Sequence, residues 1–174
     1  MKLFYKHDGF ILVFRLGTTT NRKISESKKQ KIVQTYSFSI EQYHYARNNK
    51  GTSNELYAYD NAVCFDCPFS GQNGKCYTHK YFQTSGFYAM LRSLPSLGEI
   101  PNIPNTMPIE LAEMCKDRYV RFGTYGEPIL IPFDWVQSIA KGSASWTGYT
   151  HQYERWPEYK DYFMASCHSM ADIL

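Results

Sequence analysis

The chain lacks a hydrophobic run long enough to span a bilayer, since Phe10-Ile-Leu-Val-Phe14 is far too short. Its first residues, Met1-Lys-Leu-Phe-Tyr-Lys-His-Asp8, carry charge at once and contain neither the apolar core nor the small-residue cleavage site of a secretory leader. These absences predict a cytoplasmic protein with no membrane partner. An excess of one charge is lacking as well. Lys and Arg number 19 against 16 Asp and Glu, a formal charge of +3, which argues against the strongly basic face of a dedicated nucleic-acid binder while permitting a nucleic-acid contact. No internal repeat or low-complexity tract occurs. A Walker loop, a dinucleotide fingerprint, a nucleophile elbow and an H-E-x-x-H pair are all missing, so no familiar enzyme class is announced.

What is present is a globular composition. The 174 residues are 43% apolar, enough for one domain with a proper core. Aromatics make up 17%, large stiff side chains that serve packing first and stacking on planar ligands second. The five cysteines are odd in number, clustered and without an export signal, a combination that favours reduced thiols over a disulfide framework.

Three of them lie in Cys64-Phe-Asp-Cys67-Pro-Phe-Ser-Gly-Gln-Asn-Gly-Lys-Cys76-Tyr77. A C-x2-C pair followed by a third thiol on glycine-rich backbone is the pattern with which proteins surround zinc or an iron-sulfur cluster. Gly71 and Gly74 let the loop turn back so that Cys76 approaches the site of Cys64 and Cys67. A closed site needs a fourth ligand, for which Cys167, Cys115, His79 or a cysteine beyond Leu174 are the candidates. Neither C-x3-C-x2-C nor the tight C-x2-C-x2-C ferredoxin run is present, so the spacing leaves iron-sulfur and zinc both open.

Periodicity predicts strands at Phe10–Phe14 and Ile32–Ile40, the second with Ile32, Gln34, Tyr36, Phe38 and Ile40 on one face. Gly17-Thr-Thr-Thr-Asn21 reads as a turn, Arg22–Lys31 as a basic solvated hairpin or loop, and Tyr43–Asn54 as a polar stretch ending in a loop. Helices are expected over Gly86–Leu94, Pro108–Cys115 and Phe133–Ala140, with the proline-rich Ser93–Pro108 as a surface excursion. Tyr119–Phe122, Trp146–His151 and Tyr162–Ser166 complete a strand, loop and helix rhythm. The expected fold is a single α/β domain over residues 1–174, a partial barrel or open mixed sheet with a cysteine-rich metal loop.

Four ordered segments carry a resemblance. They are Asp66-Cys67-Pro68 with Cys76-Tyr77, Val120-Arg-Phe-Gly-Thr-Tyr-Gly-Glu-Pro128, Thr147-Gly-Tyr-Thr-His-Gln-Tyr153 and Met164-Ala-Ser-Cys-His-Ser169. Together they resemble a widespread, uncharacterised family of bacteriophage and mobile-element proteins, in which the corresponding motifs read D-C-P with C-Y, V-R-L-G-T-Y-G-D-P, T-G-Y-T-H-Q-W and M-A-S. The resemblance implies a bacterial host cell and a chain truncated before a further strand and further cysteines, and it brings no established reaction.

The polar residues of these motifs form the expected reactive face. Arg121 and Glu127 flank a loop in which Gly123 and Gly126 would let backbone N–H groups approach an anion. His151 is an acid, base or donor near neutral pH, with Glu127 as its partner if the fold joins their loops, and Tyr149, Gln152 and Tyr153 around it form a ligand wall. The expected function is a metal-binding protein with Cys64, Cys67, Cys76 and Cys167 as ligands. An iron-sulfur cluster stands ahead of zinc, with a nucleotide or nucleic acid as partner. A zinc-stapled nucleic-acid or protein-binding module is the alternative.

Overall fold

The computed structural model describes residues 1–19, 30–48, 59–68, 70, 76 and 83–167. Its centre is a five-stranded open sheet in the order β1 (Lys2–His7), β2 (Phe10–Thr19), β3 (Gln30–Ser39), β4 (Tyr119–Tyr125), β5 (Ser145–Thr147). The first three strands form an antiparallel meander, and β3, β4 and β5 run parallel. The sheet does not close, so the partial-barrel alternative gives way to the open mixed sheet.

Asp8 and Gly9, both at positive φ, make the two-residue turn between β1 and β2, the left-handed pair that the right-handed twist of a hairpin favours. The β2 strand continues through Gly17, which pairs with Ile32, so the turn expected at Gly17 falls inside a strand. Residues 20–29, most of the basic run, lie outside the described residues.

Helix α1 (Ile40–Asn48) begins where β3 ends. Its start is a capping box. The Ser39 N–H donates to Gln42 Oε1 at 2.9 Å and the Gln42 N–H to Ser39 Oγ at 3.1 Å, each side chain satisfying a helix-end donor. The chain then passes through α2 (Asn61–Cys64), α3 (Gln83–Arg92) and α4 (Ile109–Cys115) before β4, and through α5 (Phe133–Gly142) before β5.

Strand alternation divides the core into two layers. Leu12, Phe14, Val33, Val120 and Phe122 face α4 and α5, where Trp135 is fully buried. Ile11, Val13, Tyr36 and Phe38 face α1 and α3, meeting Tyr43, Phe87 and Leu91. The proline-rich stretch runs along the outer edge of β1, with the Lys6 N–H donating to Pro101 O and the Ile103 N–H to Lys6 O, both at 2.8 Å. This covers an edge that would otherwise be open to pairing.

The expected strand Trp146–His151 is two short ones. After β5 the chain kinks at Gly148 and enters β6 (Tyr149–Thr150), which pairs in parallel with β7 (Met164–Ala165) as a separate two-stranded sheet. A Cβ on Gly148 would sit 2.7 Å from the Phe163 ring, so the crossing needs glycine. No helix among the described residues is long and apolar enough to cross a membrane.

Candidate functional site

The carboxyl ends of parallel strands are where α/β sheets collect ligands. Beside the ends of β4, β5 and β6 lies a cavity of about 370 Å³. Cys64, Cys67, Cys76, Glu127 and His151 line it, together with Arg121, Thr147, Tyr149 and Ser166. Four sequence segments separated along the chain thus meet in one place.

The cysteine segment is held by successive backbone turns. The Cys64 N–H donates to Asp60 O at 2.7 Å, the Cys67 N–H to Cys64 O at 3.1 Å and the Ser70 N–H to Cys67 O at 3.0 Å. Behind Cys64, the buried Asp60 accepts a short hydrogen bond from the Tyr125 hydroxyl, and Gln42 Nε2 donates to that hydroxyl at 2.6 Å. Burial, followed by Asp60, Cys67, Glu127 and Cys76, pushes the Cys64 thiol well above its ordinary value. Burial and Asp60 do the same to the Tyr125 phenol. A site gathering so many groups that become negative when ionised favours a cation.

The loop after β4 is fixed to this segment. The Glu127 N–H donates to Val63 O at 2.8 Å. A Cβ on Gly126, at φ +73°, would lie 2.8 Å from Ser37 O, so glycine permits both the turn and the approach to β3. The Gly123 N–H donates to Thr35 Oγ1 at 2.9 Å. That donor is thereby engaged with β3, while Gly123 and Gly126 both line the cavity, where the sequence expected them.

Glu127 and His151 come together as expected. The buried carboxylate accepts from Thr150 Oγ1 at 2.7 Å through Oε2, and its Oε1 lies 3.1 Å from both the His151 N–H and Nδ1. Burial alone would lower the imidazole, but hydrogen bonds to Cys67 and Glu127 and their negative charge outweigh it and push it up to about 9. Gln152, next in the chain, donates to Asp66 Oδ1 at 2.5 Å, tying the histidine strand to the cysteine segment.

The remaining sequence candidates are placed as follows. Arg121 lines the cavity from β4 and Tyr149, 56% exposed, from β6. Cys167 follows β7 and is half-buried, while its neighbour Ser166 is the residue that reaches the cavity. Cys115 is buried between α4 and α5, its thiol pushed up to about 12 by burial. His79 lies outside the described residues. None of the five cysteines is in a disulfide. Among the described residues no three or more His, Cys, Asp or Glu side chains stand close enough to hold a metal ion as they are, so the thiols converge on a shared cavity without forming a closed coordination sphere. The roles of Asp60, Gln42, Thr150 and Asp66 were not anticipated, because they depend on contacts between distant segments; Gln152, expected in the wall around His151, is buried and bonded to Asp66.

Fold and site define a mixed α/β protein with a thiol-lined cavity at the ends of its parallel strands. Compared with protein families, curated proteins and solved structures, the chain matches none.

Proposed function

We propose that the chain is a metal-centre protein, with Cys64, Cys67 and Cys76 as thiolate ligands at the wall of a ligand-binding cavity. The observation that carries this reading is that all three thiols line the same cavity as the Glu127–His151 pair and Arg121. The donor set fits a soft metal, since thiolates select iron-sulfur clusters and zinc over hard cations. Metal binding would require the three sulfurs to draw closer than they stand.

An iron-sulfur cluster held by the three thiolates is the leading form. It would supply one-electron chemistry to a ligand in the cavity, while Arg121 binds negative charge and His151, held by Glu127, moves a proton. The second form is zinc, favoured by one observation. A carboxylate behind a ring nitrogen is the arrangement that orients a metal-ligating histidine, and Glu127 stands so behind His151 Nδ1. His151 would then be the fourth ligand in place of Cys167, and the protein a zinc-stapled nucleic-acid or protein-binding module. The four ordered motifs support a phage or mobile-element protein working in the cytoplasm of a bacterial host.

Purification without oxygen, with iron, sulfide and zinc analysis, tests the reading. The cluster form gives a brown protein whose iron and sulfide survive His151→Ala and vanish in Cys64→Ser. The zinc form gives a colourless protein whose zinc is lost in both variants. A wild-type protein that binds neither metal, even after reconstitution, overturns both.

A further inference from the structure

We propose that single-stranded nucleic acid binds across the sheet along a row of cations running from Lys2 to Arg121, with a base received against Tyr149 at the cavity. The row follows from strand register. Lys2 on β1 pairs with Arg15 on β2, Arg15 with Gln34 on β3, Gln34 with Arg121 on β4, and Arg121 with Thr147 on β5. Register partners project to the same face, so every strand contributes one polar side chain to a single line.

At ~4.8 Å between neighbouring strands, the three cations cover about 14 Å, a span suited to several phosphates of one strand and larger than a single anion needs. Arg15 is hydrogen-bonded to Tyr36, and Arg121 lies within electrostatic reach of the same phenol, so the middle of the row is anchored on the buried sheet. At the outer end, Lys2 and Arg15 are exposed and line a depression of about 280 Å³ beside Gly86, Met90 and Ser93. At the inner end, Arg121 and Thr147 open into the cavity that Tyr149 borders. Backbone-tracking cations leading to an exposed aromatic ring are the two parts of a single-strand binding surface. A total charge of only +3 is no obstacle, because the cations that matter are aligned. The proposal does not depend on the metal.

Fluorescence anisotropy of the purified protein with short labelled oligo(dT) and oligo(rU), from about 50 to 200 mM salt, tests it. Three phosphate contacts should give a log–log salt slope of about −2, at about 0.7 per cation. Lys2→Gln, Arg15→Gln and Arg121→Gln should each reduce that slope by about 0.7, and Tyr149→Ala should weaken binding roughly fivefold or more with the slope intact. Lys2 is exposed and its ammonium donates to the exposed Ser93 hydroxyl, so its variant reports on binding without disturbing the core; Arg15→Gln also removes the bond to Tyr36, so its denaturation midpoint is measured alongside. No binding at about 50 mM salt, or a slope unchanged in the three variants, overturns the proposal. So does binding of free AMP as tight as that of the oligonucleotides and indifferent to Lys2→Gln and Arg15→Gln, which would mark the cavity as a mononucleotide site.

Discussion

Glu127 and His151 stand 24 positions apart in sequence and share one hydrogen-bonded unit, and their pairing has a consequence for pH dependence. The folded imidazole titrates at about 9 against 6.5 for the free side chain. A group whose folded value is raised adds stability below its unfolded value and loses it as pH climbs through the folded one. Metal-free protein should therefore lose denaturant resistance between about pH 6.5 and 9, and His151→Gln should flatten that slope. An unchanged slope in the variant would remove the Glu127–His151 pair from the account. Cys115 supplies a second check: with its thiol up at about 12 in the core between α4 and α5, it should resist a thiol reagent at mildly alkaline pH until the protein unfolds. Labelling Cys115 in the native state at the rate of an open thiol would contradict its burial.

Turn and cap chemistry fix where the elements begin and end, and several of these signals were legible. Alternation placed the Ile32–Phe38 face of β3, and Pro108 and Phe133 marked two helix starts. Two written signals were nonetheless passed over: Asp8-Gly9, which makes the β1–β2 hairpin, and Ser39-x-x-Gln42, which opens α1. The break of the last aromatic strand at Gly148 was not legible, since it depends on Phe163 lying against the kink. Asp60 and Thr150 escaped for the same reason, each acquiring its role from a segment distant in sequence. Gly126 carries the element-scale prediction. Gly126→Ala forces a side chain into left-handed backbone, costing about 1–2 kcal/mol, and sets its Cβ against Ser37 O. Chemical denaturation should show a loss at least that large; a neutral result would mean that the turn after β4 can be rebuilt without glycine. By comparison, Trp135→Ala should cost about 3–5 kcal/mol by opening a cavity in the layer between the sheet and α5.

Over the whole molecule, the parallel half of the sheet brings the sequence motifs to one cavity, and the antiparallel half extends a cationic row away from it. The cysteine spacing singles out Cys64, Cys67 and Cys76 as candidate ligands, because such spacing is local, and the fold brings all three to one cavity. Their meeting with His151 is a product of topology. The central claim is that these three thiols hold a metal, and the most direct test is the iron, sulfide and zinc content of protein purified without oxygen, compared with Cys64→Ser, Cys67→Ser and Cys76→Ser. The account expects a stoichiometric metal centre in the parent chain, with iron and sulfide in matching amounts, and its loss in each variant. Wild-type protein that stays folded yet metal-free after reconstitution, or variants that keep the parent's full metal content, would contradict it.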